Sequence, residues 1–235
     1  MRYTCFVVAL IAASLIPNAN FSQTTQQDGS RAVEGGGVKV AGWTGQIDAK
    51  EAEAGMTLNS AKFAKEGDAF HILTGPAVTY WNPENKASGD YTVKATFTEP
   101  KYMNINDHPH PYGIMIAGND LGTDKQSYLY CAAYGNGSFI VRGFGPAPFQ
   151  VNGRRASPDP AVNKAAAKGD SVTQEIAVSV KGDKVECAIN NKVVGSYDKA
   201  SLVAEGKLKS TDGTYGIRFG HNTEVKVTGL AIAKP

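Results

Sequence analysis

The sequence predicts an all-β antiparallel fold, a sandwich or a barrel, on three observations. Short runs of period-two alternation recur from residue 69 to residue 232. Turn chemistry separates them, as at Thr74-Gly75-Pro76, Gly135-Asn136-Gly137-Ser138, Gly182-Asp183 and Asn190-Asn191. No stretch carries the 3.6-residue spacing of a helix of useful length. At 235 residues with 42% apolar content, the chain has material for one sizeable core, and a single domain follows.

Residues 1–22 have the form of a secretion signal: Arg2 near the start, then an apolar run over 5–16 too short to span a bilayer, then a polar segment. Export to the periplasm or the medium is the expectation, with no transmembrane segment in the mature chain. Residues 23–37 are polar and end in Glu34-Gly35-Gly36-Gly37, which reads as a flexible leader. The β domain is expected over 38–235. Its first part, 43–64, reads as loops with a short strand at 56–59, because Gly55 interrupts the one helical turn on offer at Glu51-Ala52-Glu53-Ala54.

Strands become frequent from residue 69. Those at 69–73 and 77–81 flank Thr74-Gly75-Pro76, and Asn82-Pro83 closes the second. The run 91–98 alternates most cleanly, with Tyr91, Val93, Ala95 and Phe97 expected inward and Thr92, Lys94, Thr96 and Thr98 outward. The centre of the chain, 111–144, holds strands at 112–117, 128–134 and 139–144. In the middle one Tyr128, Tyr130, Ala132 and Tyr134 share one face, and Leu129, Cys131 and Ala133 the other. Residues 145–170 form a long connection rich in proline, alanine and glycine. Further strands follow at 175–180, 184–189 and 193–197, and a closing pair ends at residue 232.

The formal net charge of +2, without a basic cluster beyond Arg154-Arg155, gives no nucleic-acid footprint and no polybasic membrane patch. Cys131 and Cys187 fall at inward strand positions, which leaves a disulfide and two buried thiols both open.

Three stretches carry a family resemblance: YTVKATF (91–97) after Ser88-Gly89-Asp90, KGDKVECAINNKVVGSYD (181–198) and DGTYGIRFGHNTEVKVTGLAI (212–232). They resemble the concanavalin A-like lectin and glucanase jelly roll. More narrowly, they are similar to the secreted bacterial 3-keto-disaccharide hydrolase domains, relatives of the family-sixteen glycoside hydrolases. The resemblance implies two stacked antiparallel sheets with a concave face that holds carbohydrate. It also implies structural calcium at loop carboxylates, for which Asn119, Asp120 and Asp124 are the candidates. Retaining glucanases of this fold carry Glu-x-Asp-x-x-Glu on one strand, with the catalytic carboxylates about 5–5.5 Å apart. No such motif occurs here, so two-carboxylate hydrolysis is not expected.

The residues point to sugar recognition by Trp81, Tyr128, Tyr130, Arg142, Arg218, His221 and Asn222. Aromatic rings stack on the apolar face of a pyranose, while arginine, asparagine and histidine bond its hydroxyls. Arg142 and Arg218 stand among apolar strand residues, where each needs a ligand, a carboxylate or water. An alternative is cleavage of a 3-keto-glycoside, with His71 or His110 as base and an arginine steadying developing enolate charge. A surface adhesion module with no small ligand is a third. In Asp107-His108-Pro109-His110 the two histidines could share a metal with Asp107 or His221, but the spacing fits no strong zinc pattern. A solvated loop is the expectation there, with no metal site.

Overall fold

The structure, a computed structural model, describes Met1 and residues 29–234. The expected secretion signal, 1–22, lies outside the described residues apart from Met1. In chain order the elements are β1 (Gly37–Val38), β2 (Thr44–Ile47), the short helix α1 (Ala49–Glu53), a 3-10 turn (Leu58–Ser60), β3 (Lys62–Glu66), β4 (Ala69–Leu73), β5 (Val78–Ala87) and β6 (Tyr91–Glu99). Then come β7 (Tyr112–Asn119), β8 (Ser127–Tyr134), β9 (Ser138–Phe144), β10 (Pro148–Gln150), β11 (Ser157–Pro158) and β12 (Val172–Lys181). The chain closes with β13 (Lys184–Ile189), β14 (Lys192–Asp198), α2 (Lys199–Leu202), β15 (Gly213–Phe219) and β16 (Glu224–Ala233).

The strands form two sheets. One runs β1-β3-β4-β16-β6-β12-β13-β14, and the second runs β10-β9-β8-β7-β15-β5-β2 with β11 added on β9. Nearly all neighbours are antiparallel; β1 beside β3 is parallel. The β-sandwich expected from the sequence is therefore the observed fold. Tyr91, Val93, Ala95 and Phe97 all face inward, at most 2% exposed. On the outer face of the same strand, threonine hydroxyls pair across to β12: Thr92 with Ser179 at 2.8 Å and Thr98 with Thr173 at 2.9 Å. Between the sheets, Phe97 stacks on Tyr112 with centroids 5.9 Å apart and meets Phe219 at 6.3 Å. This is the main core.

Cys131 on β8 and Cys187 on β13 form a disulfide across the two sheets, Cα atoms 6.0 Å apart. It closes a loop over a sequence separation of 56. In the chain-entropy account a loop of that length contributes about 4 kcal/mol.

Several local expectations change. Residues 49–53 are helical: Gly55 ends the helix rather than preventing it, taking φ 84° just beyond the cap. Residues 58–60 form a 3-10 turn, and the extended segment begins at Lys62 instead of at 56–59. β5 does not stop at Asn82-Pro83 but runs to Ala87. The proline is tolerated because the ladder to β15 breaks there, between the pairs Gly216↔Trp81 and Thr214↔Lys86. The connection 145–170 contains β10 and β11, which edge the second sheet. Part of the expected leader is also packed. The Val33 N–H donates to the Ser60 carbonyl at 3.1 Å, and Asn222 holds Gly29 and Arg31 through its side chain.

Candidate functional site

The outer face of the second sheet is where the predicted aromatic residues meet. Strand alternation and register place Thr79 and Trp81 of β5, Met115 of β7, Tyr128 and Tyr130 of β8, Arg142 and Phe144 of β9, and Arg218 of β15 on this one face. The family resemblance implies a concave face that holds carbohydrate. The structure instead roofs it: Tyr128, Tyr130 and Trp81 are 3%, 6% and 7% exposed. They pack with Met115, Ala132 and Ile140, against Leu121, Tyr134 and Phe144. Burying so much ring surface stabilises a second, smaller core, and that outweighs leaving the rings free for a ligand.

Arg218 sits inside this cluster and meets the requirement for a charge partner with a carboxylate. Its two terminal nitrogens donate to the two oxygens of Asp48 at 2.7 and 2.6 Å, and one also donates to the Thr79 hydroxyl at 3.2 Å. The guanidinium lies over the rings of Tyr130 and Phe144, 5.6 and 5.4 Å from their centroids. Burial opposes the charge on Arg218, but Asp48 together with the Tyr128 and Tyr130 phenols outweighs it, and the net shift is upward. Burial likewise raises the Tyr130 phenol, with Arg218 and Arg142 pulling the other way. Asp48 reaches the face because it is the residue preceding α1.

Where the roof stops, a cleft of about 440 Å³ opens beside this ion pair. Its wall includes the rings of Tyr128 and Phe144 with Gln46, Asp48, Thr79, Thr123, Asp124 and Gln126, and Pro146 and Pro148 form the rim toward β10. The Tyr128 hydroxyl bonds Thr79 at 3.1 Å, which fixes both groups at the floor. Gln46 Oε1 is buried with no hydrogen-bond partner among the described residues. A second cleft, about 300 Å³, lies at the other end of the face beside Trp81, Lys86, Asn119 and Asp120.

The other predicted site residues separate. Arg142 stays on the face at the edge, donating to the Arg154 carbonyl at 2.8 Å. His71 is on the opposite sheet, paired in register with Lys226 on the outer side, and its two ring nitrogens meet Glu66 and Glu224 at 2.6 and 3.0 Å. It is committed to that surface cluster and approaches neither arginine. Asn222 is fully buried and works as a staple: its side-chain oxygen accepts from Arg31 N–H at 3.0 Å and its amide donates to the Gly29 carbonyl at 3.1 Å. Both residues are thus drawn away from the expected sugar face by internal partners. Asn119 bonds the Ala117 and Asp212 carbonyls, Asp120 pairs with Lys209, and Asp124 lines the cleft, so the three calcium candidates do not converge.

His110 and His221 do come together, with His108, beyond the end of the sheet. The centroid of the His110 ring is 4.3 Å from that of His108 and 4.1 Å from that of His221. His110 is 8% exposed, and burial, then His221 and His108, push its imidazole down to about 3. None of the three rings lines the clefts described above.

Sequence reasoning missed Gln46, Asp48 and Thr79, and it offered Asp124 as a calcium candidate rather than as a cleft residue. Arg218 in an apolar strand was the usable signal, since it called for a ligand, a carboxylate or water without naming which. Asp48 is distant in sequence and sits in a stretch read as loop.

No protein-family model matches the chain, and no curated protein matches it. Solved structures do. The chain is similar to the carbohydrate-binding module CBM66 from Bacillus subtilis, at TM-score 0.54 and 9% identity, over 85% of this chain and 99% of that one. It is similar also to a Bacillus subtilis protein of unknown function with a galectin-like fold, at TM-score 0.53 and 12% identity, over 82% and 89%. At such identities the likeness is one of fold: this chain shares their antiparallel β-sandwich architecture.

Proposed function

We propose that this protein is a secreted or periplasmic carbohydrate-binding domain, and that it takes a sugar ring in the cleft beside the Arg218–Asp48 pair. The observation that carries the reading is the make-up of that cleft. Two aromatic rings, Tyr128 and Phe144, stand beside Gln46, Asp48, Thr79 and Asp124, whose acceptors and donors suit vicinal hydroxyls. The Gln46 side-chain amide on the cleft wall brings one donor group and one acceptor. A structural neighbour bearing the name of a carbohydrate-binding module agrees with this reading. The Cys131–Cys187 disulfide and the form of residues 1–22 support export into an oxidising compartment.

The finer resemblance, to 3-keto-disaccharide hydrolases, asks for a histidine base facing the same ligand as an arginine. Here Arg142 and Arg218 lie on the outer face of the second sheet while His71 and His110 lie elsewhere, which favours binding without turnover.

Saturation-transfer NMR with a panel of mono- and disaccharides, 3-keto forms included, tests the proposal. The expected result is transfer from protein to at least one sugar, reduced severalfold in Phe144→Ala, with no new product signals. Product formation would replace the binding reading with an enzyme, and absence of transfer to every sugar would remove it.

A further inference from the structure

His108 and His110 lie two residues apart in a segment stiffened by Pro109 and Pro111, and the turn after β15 brings His221 beside them. The Gly220 N–H donates to the Pro111 carbonyl at 2.7 Å and locks the two segments together. Position 220 has no room for a side chain: a Cβ there would stand 2.7 Å from Pro111 Cδ and 3.1 Å from His110 Cβ. The backbone is thus built for close approach at this point.

One ring nitrogen from each histidine falls within 4.8 Å of the others, and among the described residues these three form the one such group of metal-ligating side chains. A tetrahedral site with metal–nitrogen bonds of about 2.0–2.1 Å places its nitrogens about 3.3 Å apart, so small ring rotations close the present arrangement. Two further observations point inward. Nε2 of His110 is fully buried with no hydrogen-bond partner among the described residues, so a lone pair or a proton is stranded there at a cost. His221 Nδ1 stands 3.2 Å from the Ser30 hydroxyl, which donates to Glu51 Oε2 at 2.6 Å, while Glu51 Oε1 is 3.7 Å from the same nitrogen. A carboxylate and a hydroxyl behind one ring nitrogen are the usual outer support of a metal-bound histidine.

We propose that His108, His110 and His221 bind a divalent transition-metal ion of the kind that imidazole prefers, zinc, copper or nickel, with Glu51 as the positioning residue behind His221. Three protein ligands, one of them on the exposed His108, leave a coordination position open to water or an exogenous ligand. The site is distinct from the sugar cleft, although α1 serves both: Asp48 before it holds Arg218, and Glu51 within it faces His221.

The test is titration of the untagged, chelator-stripped chain with Co²⁺, followed by visible d–d absorption, and with Zn²⁺ in competition with a chromogenic chelator. The expected result is one ion per chain, an intense tetrahedral-type cobalt spectrum, and a melting temperature that rises with zinc and saturates at one equivalent. His108→Ala, whose side chain is exposed and whose loss leaves the fold intact, weakens zinc binding at least about tenfold, and Glu51→Gln weakens it about 10–100-fold. His71→Ala leaves it unchanged. Absence of a saturable one-equivalent site overturns the proposal, as does binding indifferent to His108→Ala or equally weakened by His71→Ala.

Discussion

The two faces of the second sheet present the same strands to different surroundings. Toward the first sheet, Leu129, Cys131 and Ala133 of β8 join the main hydrophobic core. On the outer face, Tyr128, Tyr130 and Ala132 join a cluster that encloses an arginine and ends at a cleft. Both faces are buried, but the inner one is closed by another sheet and the outer one by single side chains and loop residues. A sheet can pack both faces and still leave a cleft on the one whose cover is incomplete.

The largest effect expected from separating the faces comes from Asp48→Ala. It leaves Arg218 charged, buried and unpaired, at a loss of about 3–5 kcal/mol in chemical denaturation, whereas Asp48→Leu combined with Arg218→Met recovers most of it. On the inner face, removal of the disulfide in a Cys131→Ala, Cys187→Ala double variant costs about 2–4 kcal/mol, and sugar binding persists. A binding loss as large as the stability loss would show that the two faces are not separable.

Next comes Glu99 at the end of β6. Burial pushes its carboxyl up to about 7, while the Met103 N–H, 3.2 Å from one oxygen, opposes the shift. The folded value lies above the ordinary 4.5, so the native state holds this proton more tightly than the unfolded chain. Its contribution is therefore complete below about 4.5 and lost as the pH rises through about 7. His110, lowered to about 3, runs the other way and stabilises as pH rises. The Glu99 effect is isolated as the difference between wild type and Glu99→Gln: the variant should be more stable by roughly 2–3 kcal/mol near pH 8, with the gap closing toward pH 4. A difference independent of pH would contradict this assignment.

The smallest effect is Tyr128→Phe, which removes the hydroxyl bonded to Thr79 at the cleft floor and costs about 1 kcal/mol of stability. If the cleft is the sugar site, affinity falls severalfold in the same variant.

Much of the fold was legible because alternation writes burial directly. The clean run in β6 and the two-faced run in β8 both sit as their patterns require. β5 was cut short because Pro83 reads as a stop, and only the ladder irregularity with β15 explains how the strand continues. The candidate site was half legible. Aromatic and arginine residues on one face could be read from strand period, but whether that face is open depends on Leu121 and Phe144, which reach it through tertiary packing. Asp48 lies 170 residues from Arg218 along the chain and Gln46 two further, and no local pattern links them. The histidines converge because Gly220 permits close approach to Pro111, a contact between segments that spacing within Asp107-His108-Pro109-His110 could not reveal.

The account turns on the cleft beside Arg218 and Asp48. Amide chemical-shift mapping during titration with the sugar that gives the strongest saturation transfer tests it most directly. Saturable shifts confined to Gln46, Thr79, Asp124, Tyr128 and Phe144, abolished by Gln46→Ala together with Phe144→Ala, are the predicted result. Shifts that cluster instead around His71, around Trp81 and Lys86, or nowhere would contradict it.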